Sequence, residues 1–258
     1  MKKVIGTRGS TFNHYDVREI AKGYVGISSV LAGFAFTSII LVLDKDFGGD
    51  VLLESFKNKA AIAFLLGFFG CMISAFIYSV MSGEEMGTTS RAYSMLLING
   101  GVFSLSISFL FWGIVPLVRI YTNNEIVEIS RWIYYIIVFY IILNFVISVI
   151  DLKNISLKKT KKYYKSLKPL HYALLIVFSY LPLILFVIYR TFFQDIVLNF
   201  AGCYNLFIIS SLLLMLIGSV FSAIAANFDE KYVIPFNWCV FWIVCHSFIL
   251  GSMTMILP

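Results

Sequence analysis

Tyr134-Tyr135-Ile136-Ile137-Val138-Phe139-Tyr140-Ile141-Ile142-Leu143 is a run of ten residues in which every side chain is aliphatic or aromatic. A strand of a membrane barrel alternates polar and apolar residues, and a helix at the surface of a soluble domain keeps one polar face. This stretch does neither. Backbone immersed in lipid must satisfy its hydrogen bonds internally, so the run is read as the centre of a membrane-spanning helix. Extended to residues 132–150, it reaches the length such a helix needs, about 20 residues.

Six more segments have the same character, at 24–43, 60–81, 94–117, 170–189, 196–227 and 233–257. The sixth exceeds a span by about ten residues, which predicts a tilt, a kink near Gly202, or a projecting end. Composition agrees with this reading. Of 258 residues, 60% are apolar, 17% aromatic and 13% charged, and the mean hydropathy is +0.88. A soluble domain carries about 25% charge, so this chain lacks the side chains to cover a water-facing surface. The expected fold class is an all-α integral membrane protein, a bundle of seven transmembrane helices.

The charges fall between these spans and predict orientation. A leader at 1–23 carries Lys2, Lys3, Arg8, Arg18 and Lys22, and a loop at 151–168 carries seven lysines against one aspartate. With Arg91 and Lys231, 14 of the 20 basic residues lie on the side of the amino terminus. The positive-inside bias makes that side cytoplasmic and places the carboxyl terminus outside, in a plasma (inner) membrane. The first span is expected to act as an uncleaved signal anchor. In the loop, Lys158, Lys159, Lys161, Lys162, Lys165 and Lys168 are candidates for contact with anionic lipid, at about 1 kcal/mol per residue. No nucleic-acid-binding motif accompanies them, so nucleic acid is not expected as a partner.

The loop divides the chain into helices at 24–150 and at 169–258. A shift of 145 residues lays Ser74 on Ser219, Phe76 on Phe221, and Glu84-Glu85 on Asp229-Glu230. This suggests a 3+1+3 parallel repeat with the fourth span as linker.

None of the 34 charged side chains lies inside a predicted span. Proton pumps and intramembrane hydrolases hold ionisable groups at membrane depth despite the cost, so such mechanisms are not expected, and neither a cofactor nor a metal is implied. His246 is the one titratable nitrogen deep in a span. Uncharged polar residues cluster in the third, sixth and seventh spans: Asn99, Ser104, Ser108, Asn205 and Asn237. With His246 they are the candidates for a solute path, and Asn205, Asn237 and His246 are expected nearest its middle. Alternatively they pack helices together. Ser29, Gly33 and Thr37 form a small-residue ridge for close helix approach, within the bundle or between protomers.

Two short stretches resemble known families. Ser28 to Ala35 resembles the pore helix of the Orai calcium channels. The position of that family's selectivity glutamate is Leu41 here, so no channel activity is carried over. Gly83-Glu-Glu-Met-Gly-Thr-Thr-Ser-Arg91 resembles the E-E-x-x-x-R motif of membrane CAAX-processing proteases. Five residues rather than three separate Glu85 from Arg91, which takes Arg off the glutamate's helical face.

The functional expectation is a channel or transporter-like bundle for a small neutral or weakly polar solute. The alternative is an interaction subunit or pore-forming effector that acts as a homo-oligomer or with a cytosolic partner.

Overall fold

The computed structural model describes residues 17–83, 90–122, 124–152, 163–192, 204–225, 232–255 and 257. Among the described residues there are seven long helices: α1 (Val17–Leu43), α2 (Val51–Ser82), α3 (Ser90–Tyr121), α4 (Asn124–Asp151), α5 (Pro169–Phe192), α6 (Tyr204–Ala225) and α7 (Phe236–Met255). All seven are long and apolar enough to cross a membrane, as the apolar runs required. Glu84, Glu85, Gly202, Asp229, Glu230 and the lysines from Lys153 to Lys162 lie outside the described residues.

Several helices run past the apolar segments read from sequence. Nine residues before Ala60, α2 begins because Asp50 caps it, its carboxylate accepting the amides of Leu52 and Leu53 at 2.9 and 3.1 Å. Gly48 and Gly49, at φ 61° and 87°, make the turn that precedes the cap, a backbone shape that other residues adopt at a cost. At the other end of the chain, α7 ends under Arg190, whose Nη1 and Nη2 donate to Thr254 O and Leu257 O at 2.5 and 3.0 Å. A cation there complements the free carbonyls and the negative end of the helix dipole.

Burial identifies the centre of the bundle. Two-thirds of the apolar window is buried in α3 and in α7, against about a fifth in α1 and α5. One core lies among α1, α2 and α3, and a second joins α3 to α4, α5, α6 and α7. Helix α3 is therefore the wall shared by both.

The α2–α3 contact is close because glycines allow it. A Cβ at Gly70 would fall on the Ser106 hydroxyl, and one at Gly113 would lie 3.2 Å from Ala63 and Phe64. On α1 the buried small residues are Ala21, Ser28, Ala32 and Ala35. The small-residue ridge Ser29, Gly33 and Thr37 faces outward, beside the buried face rather than on it. Nothing lies within 4 Å of a Cβ placed at Gly33. Ser29 and Thr37 donate instead to the carbonyls of Val25 and Gly33 on their own helix.

The packing of the helices before and after the lysine loop differs. The tight α1–α2 contact has no equal between α5 and α6 among the described residues; α6 leans on α3 and α2, while α5 packs on α7. Pro182 removes an amide donor from the middle of α5, and Ser247 of α7 donates a hydroxyl to the adjacent carbonyl of Ser179.

The segment after the lysine loop is fixed to the start of α7. Tyr164 is fully buried and donates to Ile234 O at 2.8 Å, with Cys239 Sγ at 3.3 Å. Tyr163 accepts the Phe236 amide at 3.1 Å, and Tyr172 donates to Tyr164 O at 2.7 Å. Burial first, then the Cys239 thiol, holds the Tyr164 phenol well above its ordinary pKa.

Candidate functional site: an apolar cleft beside a buried His–Trp pair

Because α6 leans toward α3 and α2, it leaves a cleft of about 550 Å3 between itself and α7. Phe207, Ser210, Leu214 and Phe221 line it from α6, Trp238, Trp242, Cys245 and Ile249 from α7, and Ile98 closes it from α3. Among the described residues no charged side chain lines it, and its volume falls in the range of about 300–1,000 Å3 typical of small-molecule pockets.

Trp242 is held between glycines. Its Cη2 and Cζ2 atoms lie 2.7 and 2.8 Å from where a Cβ on Gly218 of α6 would stand, and a Cβ on Gly101 of α3 would overlap its Nε1. The indole thus fills a slot between two helices that only glycine leaves open.

One turn along α7, His246 is buried, with its ring centroid 4.5 Å from that of Trp242 and 5.7 Å from that of Phe145 on α4. Its Nδ1 is 2.8 Å from Trp242 O. A carbonyl only accepts, so Nδ1 carries the proton and Nε2 of the neutral ring is an acceptor. Among the described residues Nε1 of Trp242 is buried without a hydrogen-bond partner, and the buried His246 ring also lies against the Gly101 backbone. Buried polar atoms are rarely left so.

The other candidates are not gathered around His246. Asn99 is buried and donates to Ser74 O at 3.2 Å, joining α3 to α2. Ser108 donates to Ser104 O within α3, at 2.9 Å. Asn205 and Asn237 are exposed, in the first turns of α6 and α7. These turns stand at opposite ends of the bundle, away from the middle where the two asparagines were expected. The reason is that each helix begins one residue before its asparagine. Of the lysines proposed for lipid contact, Lys165 and Lys168 are described and both are exposed.

Trp242, Gly101, Gly218 and the cleft were missed from sequence. An aromatic residue in an apolar span gives no signal that separates it from core packing, and the glycines acquire meaning only when α3, α6 and α7 are placed together. The i,i+4 spacing of Trp242 and His246 was the one legible cue.

Among the described residues no group of three or more His, Cys, Asp or Glu side chains is placed to hold a metal ion. Known protein families, curated proteins and solved structures were all compared with the chain, and none matches it.

Proposed function

We propose that the protein is a transporter-like membrane bundle that takes a small uncharged, largely apolar molecule into the cleft between α6 and α7. The observation that carries this reading is the cleft itself, about 550 Å3, apolar and, among the described residues, without a charged side chain in its lining. A charged solute would enter it unpaired, at a cost of several kcal/mol. The cleft also has a mobile element in prospect, since α6 packs lightly on α7 and more firmly on α3.

The protein should sit in the plasma (inner) membrane with its amino terminus cytoplasmic and its carboxyl terminus outside, the lysine loop resting on anionic lipid. A cysteine added after residue 258 should then react with impermeant reagents only from outside.

The test is quenching of Trp238 and Trp242 fluorescence by an uncharged brominated alkyl compound. It is done in nanodiscs, in a Trp132→Phe background that removes the exposed Trp132 of α4. Saturable quenching in this protein, abolished when Ser210→Phe fills the cleft, is the expected result. Quenching that rises without saturation, or survives Ser210→Phe unchanged, contradicts the reading.

A second reading, an oligomeric interaction subunit, draws on the outward face of Ser29, Gly33 and Thr37. It requires a protomer contact there, which crosslinking through Gly33→Cys would reveal. A protein that remains monomeric in the membrane would exclude it.

A further inference from the structure

The two helices that bound the cleft touch each other near their connection. There the rings of Phe221 and Trp238 lie 5.9 Å apart, and the Trp242 indole fills the slot at Gly218. At the other end of the cleft, where Phe207 faces it from α6 and Ile249 from α7, Trp112 of α3 stands between the two helices. Trp112 is buried, and its ring stacks on Tyr204 in the first turn of α6, with centroids 5.7 Å apart and planes at 29°. Its Nε1 donates to Met253 O in the last turn of α7 at 3.0 Å. One indole therefore fills the space between the start of α6 and the end of α7.

Both contacts are held from behind. The Tyr204 hydroxyl donates to Lys59 O of α2 at 3.2 Å, which keeps the phenol ring against the indole. The end of α7 is held at Thr254 O by Arg190 of α5. Trp112 itself is not part of the cleft lining. A large side chain removed from such a position leaves a void into which its neighbours partly collapse, and α6, which packs lightly on α7, is the helix free to move.

Resting on the cleft as the ligand site proposed above, we infer that Trp112 is a positioning residue that sets the specificity of that site. Wedged between Tyr204 and Met253, it holds the ends of α6 and α7 apart, and its size fixes the girth of the molecule the cleft admits. A straight alkyl chain lies along the cleft and needs little width. A compact hydrocarbon cage needs the helices to stay apart.

The experiment compares 1-bromododecane with 1-bromoadamantane, bound to the full chain in nanodiscs and read as saturable quenching of Trp238 and Trp242 in the Trp132→Phe parent. Trp112→Leu and Tyr204→Leu remove the two halves of the stack, whereas Tyr204→Phe keeps the stack and loses only the hydroxyl. Each leucine variant should weaken 1-bromoadamantane about tenfold, the equivalent of roughly 55 Å2 of lost apolar contact, and 1-bromododecane by less than about twofold. Tyr204→Phe should bind both compounds as the parent does. Binding is read only on monodisperse protein, and Tyr204→Leu, at a partly buried position, carries the test if Trp112→Leu does not fold.

Equal weakening of both compounds would overturn the spacer, because a merely structural residue acts in that way, and would leave the cleft reading standing. Unchanged binding, or tighter binding of 1-bromoadamantane, would overturn it too, since the width would not depend on the stack or the void would widen the cleft. A shift in Tyr204→Phe as large as in Tyr204→Leu would assign the effect to the hydroxyl and likewise overturn it. So would saturable binding of 1-bromododecane alone in the parent. If neither compound quenches saturably in the parent, the cleft reading and this inference fall together.

Discussion

Tyr164 shows how a single side chain ties a polar loop to a membrane core. Its hydroxyl bonds Ile234 O and contacts Cys239 Sγ, and its ring is buried. Tyr164→Phe removes the bond and leaves a buried carbonyl, so it should lower stability by about 1 kcal/mol. The same tyrosine adds a pH dependence. Its folded pKa is raised above the unfolded value by burial and by Cys239. The folded state therefore holds the phenolic proton more tightly. The corresponding stability is complete below about pH 10, the ordinary phenol value, and declines as pH rises above it. Thermal unfolding followed across that range should show a decline that Tyr164→Phe reduces. An identical decline in the variant would assign the effect to other groups. At this scale the sequence was read unevenly. His246 stood out because a titratable ring in an apolar span is rare, whereas Trp242 looked like any core aromatic until Gly101 and Gly218 were found against it.

Helices α1 and α2 differ in how well their packing faces could be read. In α1 the ridge Ser28, Ala32, Ala35 lies one or two residues from Ser29, Gly33, Thr37, and both are small and helically spaced. Only the position of α2 chooses between them, because lipid accepts an apolar helix from any side and leaves no polar face to mark the outside. In α2 the ridge Ala63, Gly67, Gly70, Ser74 is buried throughout, small residues at helical spacing that had not been singled out from sequence. The contrast gives a paired prediction. Gly70→Ala places a methyl on the Ser106 hydroxyl and should cost about 1–3 kcal/mol, as overpacking does. Gly33→Ala meets open space and should change stability by less than about 0.5 kcal/mol. Thermal shift of both variants checks this, and equal effects would mean that the α2–α3 contact is looser than described. The helix starts were hidden for a different reason. Charged residues such as Lys57 and Lys59 belong to α2, and a reading based on hydropathy stops where charge begins, although the helix continues into the interface.

For the molecule as a whole, seven apolar runs were sufficient to establish a helical membrane bundle, since lipid permits so few alternatives. What sequence did not contain is the asymmetry of packing. Similar helix order in the two halves suggested a repeat, yet α6 leaves α5 and rests on α3 and α2. That departure opens the cleft and is the origin of the functional proposal. It also explains why polar residues were a poor guide: the asparagines and serines serve helix ends and close contacts, while the cleft is bounded mostly by apolar side chains. The measurement that tests this account most directly is exchange of a small uncharged apolar compound between protein-containing and acceptor vesicles, with wild type and Ser210→Phe compared at equal density. Faster exchange with the wild type than with protein-free vesicles, returned to that baseline by Ser210→Phe, is the result predicted. Exchange at the baseline with the wild type, or acceleration that Ser210→Phe leaves intact, would contradict it.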